Sequence, residues 1–135
     1  MYVLFTDETN REPTDNAKFF IYGGLLFPVD IFDTFHNEVE KIRVEAGYKK
    51  SDEFKFNTHD RPKYVDFKTC TKAKQKVIEL CQSTPCKFIA YIILHDIIKN
   101  KDPQENIKWA ADALFERYNY YLHLNESTGI CVVDN

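Results

Sequence analysis

Apolar and polar positions along the chain fall into three kinds of pattern, each predicting a different element. Residues 2–6 form a short apolar run ending on Thr6-Asp7-Glu8-Thr9. Lys18 to Phe27 (KFFIYGGLLF) is aromatic and aliphatic throughout, with Gly23-Gly24 in its middle. Both read as strands, the second a central one whose glycines mark a bulge or a close approach of backbone. The polar segment Asn10 to Asn16, with Pro13, is a loop, and two strands joined by such a loop pair antiparallel. Phe88 to Leu94 (FIAYIIL) is an unbroken apolar run, which predicts a strand buried on both faces, hence central and open to parallel pairing. Gly129 leads into a last strand, Ile130-Cys131-Val132-Val133, and then into Asp134-Asn135.

Three segments carry helical spacing. Pro28 ends the second strand, and Asp30 is placed to cap the first helix. Phe32, Phe35, Val39 and Ile42 then recur at three-and-four spacing, with His36, Glu38, Glu40, Lys41 and Arg43 opposite, until Gly47. Lys49 to Lys68 is polar and predicts no element, apart from a small patch at Phe54-Lys55-Phe56. A second helix is expected over 69–82, with Ala73, Val77 and Leu80 inward, Lys72, Lys74 and Lys76 outward, and Pro85 beyond its end. After a turn at Asn100 to Pro103, a third helix over 105–123 buries Ile107, Ala111, Leu114, Tyr118 and Tyr121. Trp109 and Tyr120 fall off that stripe, as a partly buried surface pair or as rings for a base or partner. Strands alternating with helices, with mixed pairing, make the class α/β.

Composition narrows the classes. A chain of 135 residues suits one domain, and at this size roughly 70% of the unfolded surface is buried on folding. Four Gly and five Pro exclude collagen-like and linker-like chains, and 21 acids against 18 bases exclude a strongly charged disordered tail. A net charge of −3 argues against sequence-blind nucleic-acid binding over the whole surface. It leaves room for an enzyme that meets nucleic acid through metal ions and a local basic patch. Lys68, Lys72, Lys74 and Lys76 form the basic cluster, a solvated face or a surface that tracks phosphates. No stretch reaches 18 apolar residues, and the N-terminus carries no basic leader, so no membrane contact and a cytoplasmic location are expected. Cys70, Cys81, Cys86 and Cys131 lack CxxC spacing and read as reduced core thiols, with a zinc site the minor alternative.

Two apolar strands end on acids, at Asp7-Glu8 and at Asp134. Ligands of open α/β sheets bind at the carboxyl ends of strands. If these two strands are adjacent and parallel, Asp7 and Asp134 share one cleft, and a hard cation such as Mg²⁺ or Mn²⁺ offsets their repulsion. The plainer alternative is that both acids start solvent loops. In Glu53-Phe54-Lys55-Phe56 an extended backbone puts Glu53 and Lys55 on one face. Glu53 is then a third metal ligand and Lys55 a partner for a phosphate oxygen, or the two are a surface ion pair. His59-Asp60 in a polar loop is a weaker candidate, Asp96 after His95 a reserve ligand, and His36 and His123 are expected in solvent.

Together these pieces resemble the prokaryotic and phage proteins grouped as domain of unknown function 3800. Residues 2–9 are similar to that family's strand running into Asp-Glu-Ser, with Thr9 in place of the Ser. Phe19 to Pro28 looks like its second strand, Glu53-Phe54-Lys55-Phe56 like its Glu-x-Lys-aromatic motif, and Val132-Val133-Asp134 like its later acid-bearing strand. The resemblance implies a ribonuclease-H-like mixed sheet with flanking helices. Residues 1–135 would be the N-terminal portion of the family domain, without its C-terminal part. It further implies metal-dependent phosphodiester cleavage, with Asp7, Glu53 and Asp134 holding Mg²⁺ or Mn²⁺ and Lys55 neutralising the scissile phosphate. The alternative is a non-catalytic ribonuclease-H-like binding or regulatory module with an incomplete site. An exposed sheet edge would invite a second copy to pair as a homodimer.

Overall fold

Alternation of buried and exposed positions fixes the first strand, β1 (Tyr2–Thr9), which runs through Asp7 and Glu8 instead of stopping at Thr6. The computed structural model describes residues 1–14, 17–55, 57–98 and 101–134, so Asn16, Phe56, Asn100 and Asn135 of the segments above lie outside it. The chain divides into two compact units, Met1–Val29 with the part from Lys87 onward, and Asp30–Cys86.

In the first unit, β2 (Phe19–Pro28) pairs antiparallel with β1, as expected, placing Gly24 opposite Thr6 and Gly23 opposite Asp7. The register is continuous, so the glycines mark close approach and not a bulge. A Cβ on Gly24 would lie 2.3 Å from the Phe5 carbonyl oxygen, whereas one on Gly23 would meet the tip of Phe88 at 3.1 Å and the Ala90 Cβ and Ile89 carbonyl oxygen at 3.3 Å. Gly24→Ala is therefore expected to cost about 1–3 kcal/mol by overpacking against backbone. Gly23→Ala should cost less, because its nearest backbone atom lies 3.3 Å away instead of 2.3 Å. A urea midpoint that falls further for the first than for the second, with unchanged slope, checks this.

β3 (Lys87–Leu94) pairs antiparallel with β2, and β4 (Gly129–Val133) pairs parallel with β1, giving the order β3-β2-β1-β4. β3 is thus an edge of the described sheet and not the central, doubly buried strand its apolar run predicts. Ile93 faces the core, but Phe88, Ile92 and Leu94 on the other face are 68%, 59% and 43% exposed. Its place follows from β2, which is long enough to be paired along both sides, an outcome that no property of residues 88–94 encodes. β3 and β4 point the same way, so their connection must cross the sheet. It does so through a four-residue turn of helix, α3 (His95–Ile98), and the long α4 (Pro103–Leu124), which Asp102 caps at Gln104 N (3.0 Å). The stripe of α4 is Asn106, Ala110, Leu114 and Tyr118, one residue out of step with the Ile107 and Ala111 that the spacing predicts, which are half-buried. It packs on Leu4, Phe20, Tyr22, Leu26 and Ile93. The Tyr118 hydroxyl lies 3.1 Å from the carbonyl of Tyr2 and 3.3 Å from that of Ile130, tying the helix to β1 and β4.

In the second unit, α1 (Val29–Glu45) begins directly after Pro28, so Asp30 sits in its first turn and not at the cap. It ends in a Schellman turn: Tyr48 N–H reaches Arg43 O (3.0 Å), Gly47 N–H reaches Val44 O (2.9 Å), and Gly47 takes φ +85°. Arg43, which the spacing puts on the polar face, is buried. Its guanidinium donates to Glu40 and to the carbonyls of Lys49 and Asp52, which pins the loop beyond the helix. A short 3₁₀ turn (Thr58–Asp60) comes next, and then α2 (Phe67–Ser83), two residues longer at its start than its apolar spacing predicts. The small core here is Tyr48, Val65 and Cys70, with Phe54 edge-on to Tyr48 at 5.0 Å. Lys74, expected outward, is buried beside Cys70 and Ala73, its position falling on the inward stripe.

Asp66 caps α2, accepting from Thr69 N (3.0 Å) and Thr69 Oγ1 (2.6 Å), and those bonds lower its carboxyl pKa. Asp52 is lowered likewise by Tyr64 Oη and Lys49 N. A depressed folded pKa gives stability that is present above the unfolded value and lost as pH falls through the folded one. The urea midpoint should therefore drop on acidification below about pH 4. Asp66→Asn, which keeps a cap acceptor, should flatten part of that drop; an unchanged profile would contradict the assignment.

Candidate functional site

The condition for a shared cleft, that the two acid-bearing strands be adjacent and parallel, is met. Thr6 is in register with Val133, and Asp134 N–H donates to Thr6 O at 3.2 Å. Asp7 and Asp134 therefore come next in register, Asp134 just past the end of β4 and Asp7 two residues inside the end of β1, on strands whose backbones run about 4.8 Å apart. Alternation puts Asp7 on the face of Phe5, away from α4, while Glu8 lies with Thr6 and is held by Arg11. Asp7 Oδ1 accepts from Glu8 N at 2.8 Å, which steadies the carboxylate at the exposed rim. Beside it opens a depression of about 310 Å³, walled by Phe5, Ile21, Leu25 and Phe88. Gly23, opposite Asp7, leaves its floor without a side chain.

Beneath the strand ends the interior is closed by apolar groups and one buried hydroxyl pair, Thr6 Oγ1 to Tyr22 Oη at 3.2 Å. Burial raises the pKa of Cys131 on β4, which keeps this thiol neutral. All four cysteines are free thiols in the structure.

Glu53 and Lys55 lie in the second unit, on the segment that Arg43 anchors. Both are exposed and pair with each other at 3.0 Å, which raises the Lys55 pKa. The acid expected to bind metal and the cation expected to bind phosphate are thus each other's partner, the plainer of the two alternatives for this motif. Among the described residues, no three His, Cys, Asp or Glu side chains come together as a metal-holding group.

The weaker candidates stay separate. His59 and Asp60 are exposed on the 3₁₀ turn, and the His59 N–H bonds to Asn57 Oδ1. Asp96 lies just past β3, which β2 separates from β1. His95 is buried, with Nε2 unpaired among the described residues. His36 lies exposed against Phe32, and His123 is exposed on α4. Trp109 is 44% exposed, edge-on to Tyr91 with the Lys101 ammonium over its ring, and Tyr120 is 53% exposed. The residue that sequence reasoning missed at the site is Phe88. Its run reads as buried, and only the pairing order turns it into an open wall beside Asp7. No helix among the described residues is long and apolar enough to cross a membrane.

Comparisons with protein-family models, with curated proteins and with solved structures find no match to this chain.

Proposed function

We propose that the chain is a metal-dependent nuclease of ribonuclease-H-like kind, hydrolysing phosphodiester bonds at Asp7 and Asp134. The observation that carries this reading is the pair of carboxylates in register on adjacent parallel strands. Two acids in register repel unless something positive sits between them, and the depression beside Asp7 leaves access for a substrate. The donor chemistry suits Mg²⁺ or Mn²⁺: hard oxygens only, and Mg²⁺ commonly takes one or two carboxylates with substrate phosphate and water completing its shell. Asp7 and Asp134 would hold the ion. When bound, the ion supplies Lewis-acid polarisation of a phosphoryl oxygen and an activated water. The protein's own part is to hold the two carboxylates at a fixed register and to keep Glu8 engaged with Arg11.

The second reading, a binding or regulatory module without catalysis, is favoured by the Glu53–Lys55 ion pair and by the lack of a three-ligand group among the described residues. Purified chain is incubated with labelled RNA and DNA in Mg²⁺, in Mn²⁺ and in chelator, alongside calorimetry with each metal. Cleavage that requires metal supports the nuclease. No cleavage and no metal binding supports the module.

A further inference from the structure

The first turns of α2 and the segment leading into them form a surface that the metal site does not use. Residues 61–76 carry six cations and one carboxylate, in a chain whose net charge is −3. That carboxylate, Asp66, is taken up by capping the helix. Phe67, the first residue of α2, is 56% exposed although nothing in helix initiation calls for an aromatic there. A large apolar ring left in water forgoes the stabilisation that burial would give it. Phe67, Lys68, Thr71, Lys72 and Gln75 line a recess of about 370 Å³ along one face of the helix.

The ring is also held ready. The Arg61 guanidinium lies 5.8 Å from its centroid, and Arg61 is itself fixed by bonds to Val65 O and Thr58 O, each 2.9 Å. Lys68 and Lys72 stand four residues apart, about 6 Å along the helix, and neither forms an ion pair among the described residues. Beyond them the surface closes: Lys76 is neutralised by Glu45 at 3.1 Å, and Gln75 bonds to Glu79 at 3.0 Å. An exposed, braced aromatic flanked by unpaired cations is the combination that binds single-stranded nucleic acid. One base stacks on the ring, and the phosphates on either side meet the cations.

We infer that Arg61, Phe67, Lys68 and Lys72 form a docking surface for single-stranded nucleic acid, with a base on Phe67 and backbone phosphates at the two lysines. The choice of a nucleic-acid polyanion rests on the nuclease reading above; the place and the single-strand preference rest on this surface alone. A duplex keeps its bases stacked and offers no free face to the ring.

Fluorescein-labelled oligothymidylate, titrated with the whole chain in chelator and low salt, tests it by anisotropy. Phe67→Ala should weaken binding about tenfold, while Phe67→Trp retains it. Replacing Lys68 and Lys72 together by Ala should flatten the logarithmic salt dependence by about 1.4, at about 0.7 for each single-strand phosphate that the lysines no longer neutralise. Matching urea midpoints confirm that the variants fold. The inference is overturned by absence of saturable binding, by wild-type affinity in Phe67→Ala, or by polyglutamate binding as tightly as the oligonucleotide, which would mark an acidic-protein surface. The chelator keeps this titration free of metal chemistry, so binding here together with no cleavage in the Mg²⁺ and Mn²⁺ incubations removes only the nuclease reading. Cleavage with binding indifferent to Phe67 removes only this one.

Discussion

Asp7→Asn is expected to abolish metal-dependent cleavage while leaving the fold as it was. Asparagine is nearly isosteric and its Oδ1 can still accept the Glu8 N–H that Asp7 Oδ1 receives at 2.8 Å. The position is exposed on the rim of the sheet, so stability should move by no more than about 0.5 kcal/mol. What is lost is the negative charge. A metal ion contributes several kcal/mol of transition-state stabilisation, so a site that no longer retains it slows by about a thousandfold or more. Asp134→Asn should act similarly, because the two acids come next to each other in register on paired strands. Titration calorimetry on the same variants should show weakened Mg²⁺ and Mn²⁺ binding. Cleavage that survives Asp7→Asn at wild-type rate would refute the assignment, whether it comes from another site on the chain or from a contaminating nuclease.

Phe20→Ala is expected to destabilise the chain by about 3–5 kcal/mol, against at most about 0.5 kcal/mol for Phe88→Ala. Both are phenylalanines in apolar strands, and sequence alone would rank Phe88 as buried at least as deeply. Phe20 lies on the face of β2 beneath α4, 1% exposed, among Leu4, Tyr22, Leu26 and Leu114. Deleting its ring removes packing and leaves a cavity that a close-packed neighbourhood fills only in part. Phe88 stands on the open face of an edge strand, where truncation exposes little that was not already wet. Comparison of urea midpoints decides it: equal losses would mean that β3 is buried after all.

Several features are readable from the chain because local physics writes them locally. The β1–β2 pair, the helices near 29–45, 67–83 and 103–124, and the last strand all come from apolar spacing and from Pro28, Gly47 and Pro85, whose backbone limits act wherever they stand. Gly23-Gly24 signals a close approach, and Gly24 meets the Phe5 carbonyl. Arg43 and Lys74 depart from the pattern for a common reason. Long cationic side chains are placed outward by pattern, yet a methylene stem can lie in a core while the head finds polar groups nearby, as Arg43 does with the carbonyls of Lys49 and Asp52.

The sequence by itself determined the element types, the α/β class and the two strands that carry acids, though β1 runs past Asp7 to Thr9. It also carried the identity of every candidate ligand. The tertiary structure alone decided that β4 lies parallel beside β1, so that Asp7 and Asp134 become neighbours, and that β3 lies at an edge, so that Phe88 opens beside Asp7. The division has a physical basis. Helix and strand propensities arise from interactions a few residues apart and leave a periodic trace. Strand order is a competition among hydrogen-bonding edges distant in sequence. It is settled by which edges are free and which faces α4 can cover, and none of those quantities belongs to any one segment.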